Sequence, residues 1–415
     1  MKTTQNQEWD TRYEWKMVLL LTLGFGLVSI DRFMIMPLFP VIMQDLNLDF
    51  QDLGLVTGAL AITWGISSIF MGNLADRIGL RAVIIPAVIL FSLMAGISGL
   101  ATGLISLMMI RACIGLAEGA WASATVVATL DASKPTRHGL NLGIQQAGMP
   151  FFGLALAPII ATQLLQFMDW HWVFALVLVP GMILAFLLHR VLRNVDVKEA
   201  AEHTIVDDTG DHKWSELFRI RNVSLNIVGM LCWVTVLVVL PAFLPNYLLD
   251  HLGLSMSQMG LVLSAFGFGG AAGTILLPAL SDRVGRKPVM ILAVAGAMAA
   301  QYQLINTGAD ILPLFTLLFL TLFFIFGLIT LTVGPATVEA VPAKLMTSAT
   351  GLVIGLGEIF GGGIGPVIAG YIAQNFGIQH VLQLPLATMV LGLLVVISIK
   401  ETAPVRLARK MKSSL

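Results

Sequence analysis

Apolar runs of about twenty residues recur along this chain, and they constrain its fold more than any other feature. A helix advances about 1.5 Å per residue, so about 20 residues are needed to cross a bilayer. Twelve runs fit: 17–40, 53–73, 82–102, 104–128, 140–166, 172–191, 223–248, 257–280, 288–306, 311–335, 349–373 and 380–399. Inside hydrocarbon every backbone N–H and C=O needs a partner, and runs of this length find one only as helices. The expected fold is all-α and integral to the membrane, with twelve transmembrane helices. Composition agrees, since only 12% of residues are charged, too few to cover a water-facing surface. The 24 basic and 24 acidic residues balance, so nothing points to nucleic acid as a partner. The partner to expect is the lipid bilayer.

The positive charges give an orientation. Apart from Arg32 and Arg111, the remaining 22 Lys and Arg residues all fall on one side once the runs are threaded alternately through the membrane. The positive-inside rule makes that side cytoplasmic. Both termini are then expected in the cytoplasm, in a multi-pass protein of the plasma membrane, a bacterial inner membrane being the natural setting. The opening "MKTTQNQEWDTRYEWK" is too polar and too mixed in charge for a secretory signal. Cys113 and Cys232 stand alone in apolar runs and read as packing residues.

One long polar stretch interrupts the interior, at 194–221, and reads as a cytoplasmic linker. It separates an N-terminal six-helix half, 1–193, from a C-terminal half, 222–415. The halves repeat. "GNLADRIGLRAVI" follows the second run and "PALSDRVGRKPVM" the eighth, placing Asp76-Arg77 and Asp282-Arg283 206 residues apart. Gly143, Gly153 and Pro158 return as Gly351, Gly361 and Pro366 at an offset of 208. Such pseudo-repeats are the build of many secondary transporters, whose sites lie between the repeats near mid-membrane.

The first loop resembles the signature of the major facilitator superfamily, carried here by Gly72, Leu74, Ala75, Asp76, Arg77, Gly79 and Arg81. Leu80 stands where a basic residue is usual, and Pro278 replaces the leading glycine in the second copy. The resemblance covers essentially the whole chain. It implies the major facilitator fold, and it makes Gly72, Asp76, Arg77, Gly79 and Arg81, with Asp282 and Arg283, a conformational latch. It says nothing about cargo.

Charges inside the membrane are rare, costly and usually functional. They are Asp31 and Arg32 in the first run, Arg111 and Glu118 in the fourth, and Glu358 in the eleventh. Glu339, near the end of the tenth, suits a structural ion pair. Arg111 and Glu118 are seven apart and share a helix face, beside Gly115 and Gly119, which admit a close neighbour. Asp31 and Arg32 differ by about 100° around their helix, so one is expected to face the cavity and the other the fourth span. With Asp31, Arg32, Arg111 and Glu118 all ionised the cluster is neutral; protonating a carboxylate leaves it positive and ready for an anion.

Asp-Arg in the first span with Arg-x6-Glu in the fourth resembles the anion:cation symporter family, as do "FLPNYL" at 243–248 and "ETAP" at 401–404. That resemblance implies proton-coupled uptake of a small organic anion, with Asp31 and Glu118 as proton-coupling acids and Arg32 as an anion ligand. Spinster-type lipid transporters share the Asp-Arg and Arg/Glu pattern, so proton-driven export of an amphipathic compound stays open. Arg111, Gln145, Gln146, Asn246 and Tyr247 are candidate substrate contacts, with Trp64 and Trp121 as walls. Glu358 is a candidate for binding or coupling. No nucleophile–base grouping or metal constellation is visible, so the chain does not read as an enzyme. No cofactor is expected beyond the proton gradient, and the expected working unit is a monomer.

Overall fold

The computed structural model describes residues 10–134, 137–193, 214–342, 345–403 and 406; the side chains of 72–74, 76–77, 138–139, 214–216 and 347 lie outside that description. The expected linker 194–221 therefore falls largely outside the described residues, apart from a short helix, Trp214–Arg219, and the two residues after it. The described elements are helical, and twelve of the helices are long and apolar enough to span a membrane. In chain order these are α1 (Thr11–Leu46), α2 (Phe50–Met71), α3 (Leu80–Ser98), α4 (Leu104–Ala132), α5 (Leu140–Leu164) and α6 (Trp170–Val191). The second set is α7 (Arg221–His251), α8 (Met256–Val284), α9 (Arg286–Ile305), α10 (Ile311–Val338), α11 (Ser348–Phe376) and α12 (Ile378–Ser398). Each matches one apolar run of the sequence. Several continue past it: α1 is 36 residues long, because polar residues at a span's end can stay helical outside the apolar slab.

Packing reproduces the repeat. In the first half α1 packs on α5 and α6, α2 on α4, and α3 on α4 and α6; in the second, α7 packs on α11 and α12, α8 on α10, and α9 on α10 and α12. Local structure repeats too. Asp49 caps α2 and Ser255 caps α8, each in a reciprocal box with Asp52 or Gln258, 206 residues apart. Gly79 and Gly285, again 206 apart, turn the chain into α3 and α9 with φ of 90° and 115°, values that side chains rarely adopt. Arg81 donates to the carbonyls of Leu192 (2.9 Å) and His189 (2.7 Å) at the end of α6, and Lys287 to that of Ile397 (2.6 Å) at the end of α12. Each cation thus satisfies helix C-terminal carbonyls in its own half.

Burial identifies the central helices. The most apolar stretch of α1 is 72% buried and that of α7 83%, against 39% for α3, 33% for α6 and 39% for α12. The outer helices leave their apolar faces to lipid. Between the halves α2 meets α11, and α5 meets α8. A Cβ on Gly58 would stand 2.6 Å from the Gly363 carbonyl oxygen, and one on Gly267 would collide with the Ala155 backbone nitrogen. Hydrogen bonds from the Phe50 N–H to Gln374 (3.3 Å) and from Gln163 to Ser257 (3.2 Å) continue this seam to the face opposite the chain termini.

Candidate functional site

Two neighbouring side chains at the middle of α1 point in different directions, as their rotation around the helix requires. Asp31 is fully buried and faces α4. Arg111 donates from one guanidinium nitrogen to the Asp31 carbonyl oxygen at 3.0 Å, and the same nitrogen lies 3.9 Å from the Asp31 carboxylate. Its guanidinium also lies over the Phe174 ring of α6, 5.6 Å from the centroid. Glu118 completes this group, with Asp31, Arg32 and Arg111 as its electrostatic neighbours. The Asp31 and Glu118 carboxyls face each other as a side-chain pair, no other group donates to their four oxygens, and two of the three Arg111 nitrogens have no partner. The glycines beside this face are filled by α2: Gly115 lies against the Leu60 carbonyl and Gly119 against that of Trp64.

Arg32 points instead into the seam between the halves. It donates to Glu358 Oε2 at 2.8 Å, an ion pair with side chains only 6% and 8% exposed. Trp64 and Phe33 flank it, with ring centroids 5.5 and 5.7 Å from the guanidinium carbon. Glu358 begins a π-helical stretch, Glu358–Ile364, in α11, and α5 has its counterpart in Met149–Leu156. Extra turns of this kind mark functional places in helices. The neutral four-charge cluster of the sequence reading is therefore incomplete: a fifth charge, 326 residues from Arg32, belongs to it.

A cavity of about 10 Å³ adjoins Arg32, walled by Met36, Phe39, Thr57, Leu60, Ala61, Arg111 and Val238 among others. That is about the room of one water, so any organic acid must separate the groups around Arg32 to enter. A larger cavity, about 590 Å³, opens at the terminal ends of the first half beside Tyr13, Gly79, Arg81 and Arg193, well apart from the charge cluster.

The other candidate residues scatter. Trp64 is at the seam, and Gln146 is half-buried on α5. Gln145 is fully buried and accepts a hydrogen bond from Thr129 at 2.7 Å, which makes it a tie between α4 and α5. Trp121 is no cavity wall: it sits edge-on against Phe91 inside the first half, with its ring against Gly24. Asn246 donates to Asp250 at 3.2 Å and to the Met43 sulfur at 3.6 Å. Met43 is eleven residues past Arg32 on α1, about 16 Å of helix, so Asn246 belongs to the closure at the far face. Tyr247 beside it is buried and stacks on His251. Cys232 is buried, whereas Cys113 is exposed on α4.

Only part of the expected latch falls within the described side chains. The surroundings of Gly72 and the side chains of Asp76 and Arg77 lie outside that description. In the second half Asp282 pairs with Arg286, and Arg283 is exposed. Arg286 also binds Glu339 at 2.8 Å, Glu339 accepts from Thr402, and Glu401 receives the backbone N–H of Arg286 at 2.9 Å. Glu339 is thus a structural ion-pair partner, as its position near a helix end suggested. Arg286 was legible only as part of a basic loop.

Twelve spans in two packed repeats, with buried charges between them, define a secondary transporter. The family model of the major facilitator superfamily matches residues 21–359 and 227–413, and the chain belongs to that superfamily. It is a multi-pass membrane transporter and not an enzyme. The chain is similar to a hexuronate transporter of Bacillus subtilis, 25% identical over 66% of each chain. It is also similar to a probable 4-methylmuconolactone transporter of Cupriavidus pinatubonensis, 26% identical over 86% of this chain and 83% of that one. Among solved structures, a bacterial homologue of the human lysosomal transporter Spinster, inward-facing and occupied, superimposes with a TM-score of 0.77. That match covers 93% of this chain and 96% of the other at 18% identity, and it speaks to the fold.

Proposed function

We propose that this protein takes up a small organic anion together with protons, by alternating access of two halves, 1–193 and 222–415, joined by the linker 194–221. The observation that carries the reading is the division of labour at mid-α1. Arg32 presents a guanidinium to the seam, where a carboxylate already sits against it at 2.8 Å. Asp31 is turned away from that seam toward Arg111 and Glu118. A guanidinium matches a carboxylate in charge and in planar geometry. Two buried carboxyls set side by side in the membrane are suited to hold and pass a transported proton. Asp31 and Glu118 are accordingly the proton carriers. Their protonation leaves the cluster more positive, which couples proton entry to anion binding.

The relatives agree in substrate class, since a hexuronate is a sugar carboxylate. Both termini face the cytoplasm, in the plasma membrane of a bacterium. On that orientation the closed seam at the far face is extracellular, and the arrangement described is closed to the outside. The apolar walls beside Arg32 favour an acid with few hydroxyls, aromatic or unsaturated, over a fully hydroxylated one. They also support the competing reading, proton-driven export of an amphipathic compound.

One experiment separates the two. Proteoliposomes receive radiolabelled glucuronate, 4-hydroxybenzoate and succinate, with and without an inward proton gradient. Gradient-driven accumulation of an acid is expected. No uptake of any of the three, together with gradient-driven extrusion of a lipophilic dye, would overturn the reading in favour of export.

A further inference from the structure

The Arg32–Glu358 pair places a carboxylate of the protein on the same guanidinium that the proposed function assigns to the substrate. The two cannot share it comfortably: the cavity there is about 10 Å³, and both partners are almost wholly buried. Among the described residues Arg32 is the cation that Glu358 pairs with; Arg111, on the wall of the same cavity, is held by Asp31. On α11 itself no other charged residue occurs between Lys344 and the end of the helix at Phe376. On α2, which packs against it, none occurs between Asp52 and Asp76, and on α7 none between Arg221 and Asp250. The side chains that meet α11 near Glu358 are apolar or neutral: Ala61 and Ile62 from α2, Met230, Val234 and Thr235 from α7. Beyond Arg32 itself, the charged groups beside the pair are Asp31, Arg111 and Glu118 of α1 and α4, with Arg111 on the wall of the same cavity.

Glu358, once displaced from Arg32, would be a buried carboxylate with no counter-ion. Such a group takes a proton. The charge count gives the consequence. Asp31, Glu118 and Glu358 against Arg32 and Arg111 sum to one negative charge when all are ionised. A single proton on the Asp31/Glu118 pair brings the cluster only to neutrality. A second, on Glu358, frees Arg32 and leaves the single positive charge that a monocarboxylate neutralises.

We infer that Glu358 is an internal stand-in for the substrate's carboxylate: it holds Arg32 in the substrate-free protein and must accept a proton for a monocarboxylate to bind. Transport then moves two protons with each monocarboxylate, one on the Asp31/Glu118 pair and one on Glu358. Both are taken from the side of higher proton activity and released on the other as the anion leaves and the ion pair re-forms. The net cargo carries one positive charge, so uptake is electrogenic. This rests on the proposed function and adds to it the stoichiometry and the residue that sets it.

The test is current and flux measured together on proteoliposomes of the full chain, with glucuronate and 4-hydroxybenzoate as probes. Wild-type protein should give inward current with anion uptake, and a flux ratio of two protons per anion. Glu358→Gln should still take up the anion but without current, at one proton per anion, and should bind it about tenfold more tightly at neutral pH because the competitor is gone. Electroneutral uptake by the wild type overturns the inference and leaves the proposed function standing. So does unchanged current in a Glu358→Gln protein whose thermal unfolding shows it intact, which would make the pair a strut. Uptake restricted to amino acids overturns it differently, by making Glu358 a ligand for an ammonium group. Absence of acid uptake in the wild type overturns the proposed function itself. Should Glu358→Gln fail to fold, the wild-type current and ratio still decide.

Discussion

The two halves of this transporter share a scaffold and differ in chemistry. Helix pairings, capping boxes at Asp49 and Ser255, turn glycines at Gly79 and Gly285, and cations on the ends of α6 and α12 all occur twice. The intramembrane charges do not: four lie in the first half and Glu358 alone in the second. Duplication preserved what any half needs to pack and rock, namely close helix contacts and satisfied helix ends. In the proposed function, binding and coupling need only one guanidinium and one set of acids, so they are free to become one-sided. The first half holds four of the five charges, and the second supplies the carboxylate that pairs with Arg32.

The largest test of that contrast is Arg32→Ala. It should lower anion uptake about a hundredfold or more, the value of a charged hydrogen bond in a buried site, while the protein remains folded. Scintillation-proximity binding and uptake would measure both sides of this; retention of anion binding would remove Arg32 from the site. Next come Asp31→Asn and Glu118→Gln. Each should remove one of the two protons, cutting gradient-driven accumulation to what Glu358 alone supports, and spare exchange of labelled for unlabelled anion, since exchange needs no net proton movement. Loss of exchange as well would make these carboxyls structural.

An intermediate effect is expected at the seam. Gly58→Leu should obstruct the approach of α2 to Gly363 and leave the far face open, slowing transport several-fold, whereas Gly143→Leu, where nothing lies within 4 Å, should be tolerated. Thiol labelling of a cysteine introduced at Met43 reports the opening. The smallest effect belongs to Gln145→Ala. Its lost bond to Thr129 should cost about 1 kcal/mol of stability with the half-saturating anion concentration unchanged. A large rise in that concentration would return Gln145 to the binding site.

Span number, span order, the repeat and the membrane class were legible in the sequence, because hydrophobic length and backbone hydrogen bonding leave a chain like this few alternatives. So was the identity of the buried charges, which stand out against an apolar background. The sequence could also establish that Asp31 and Arg32 diverge by about 100°, a property of the helix alone. It could not establish which of them faces the seam. Absolute rotation of a span is set by its neighbours, and here α2, α4 and α6 decide it by packing Arg111 onto Asp31 and leaving Arg32 to Trp64. For the same reason the partner of Glu358 was out of reach: two residues 326 positions apart meet only because the halves close at that seam. Gln145, Asn246 and Arg286 teach the same lesson on a smaller scale. A polar side chain in a span advertises a hydrogen bond, and only tertiary structure decides whether the substrate or another helix receives it.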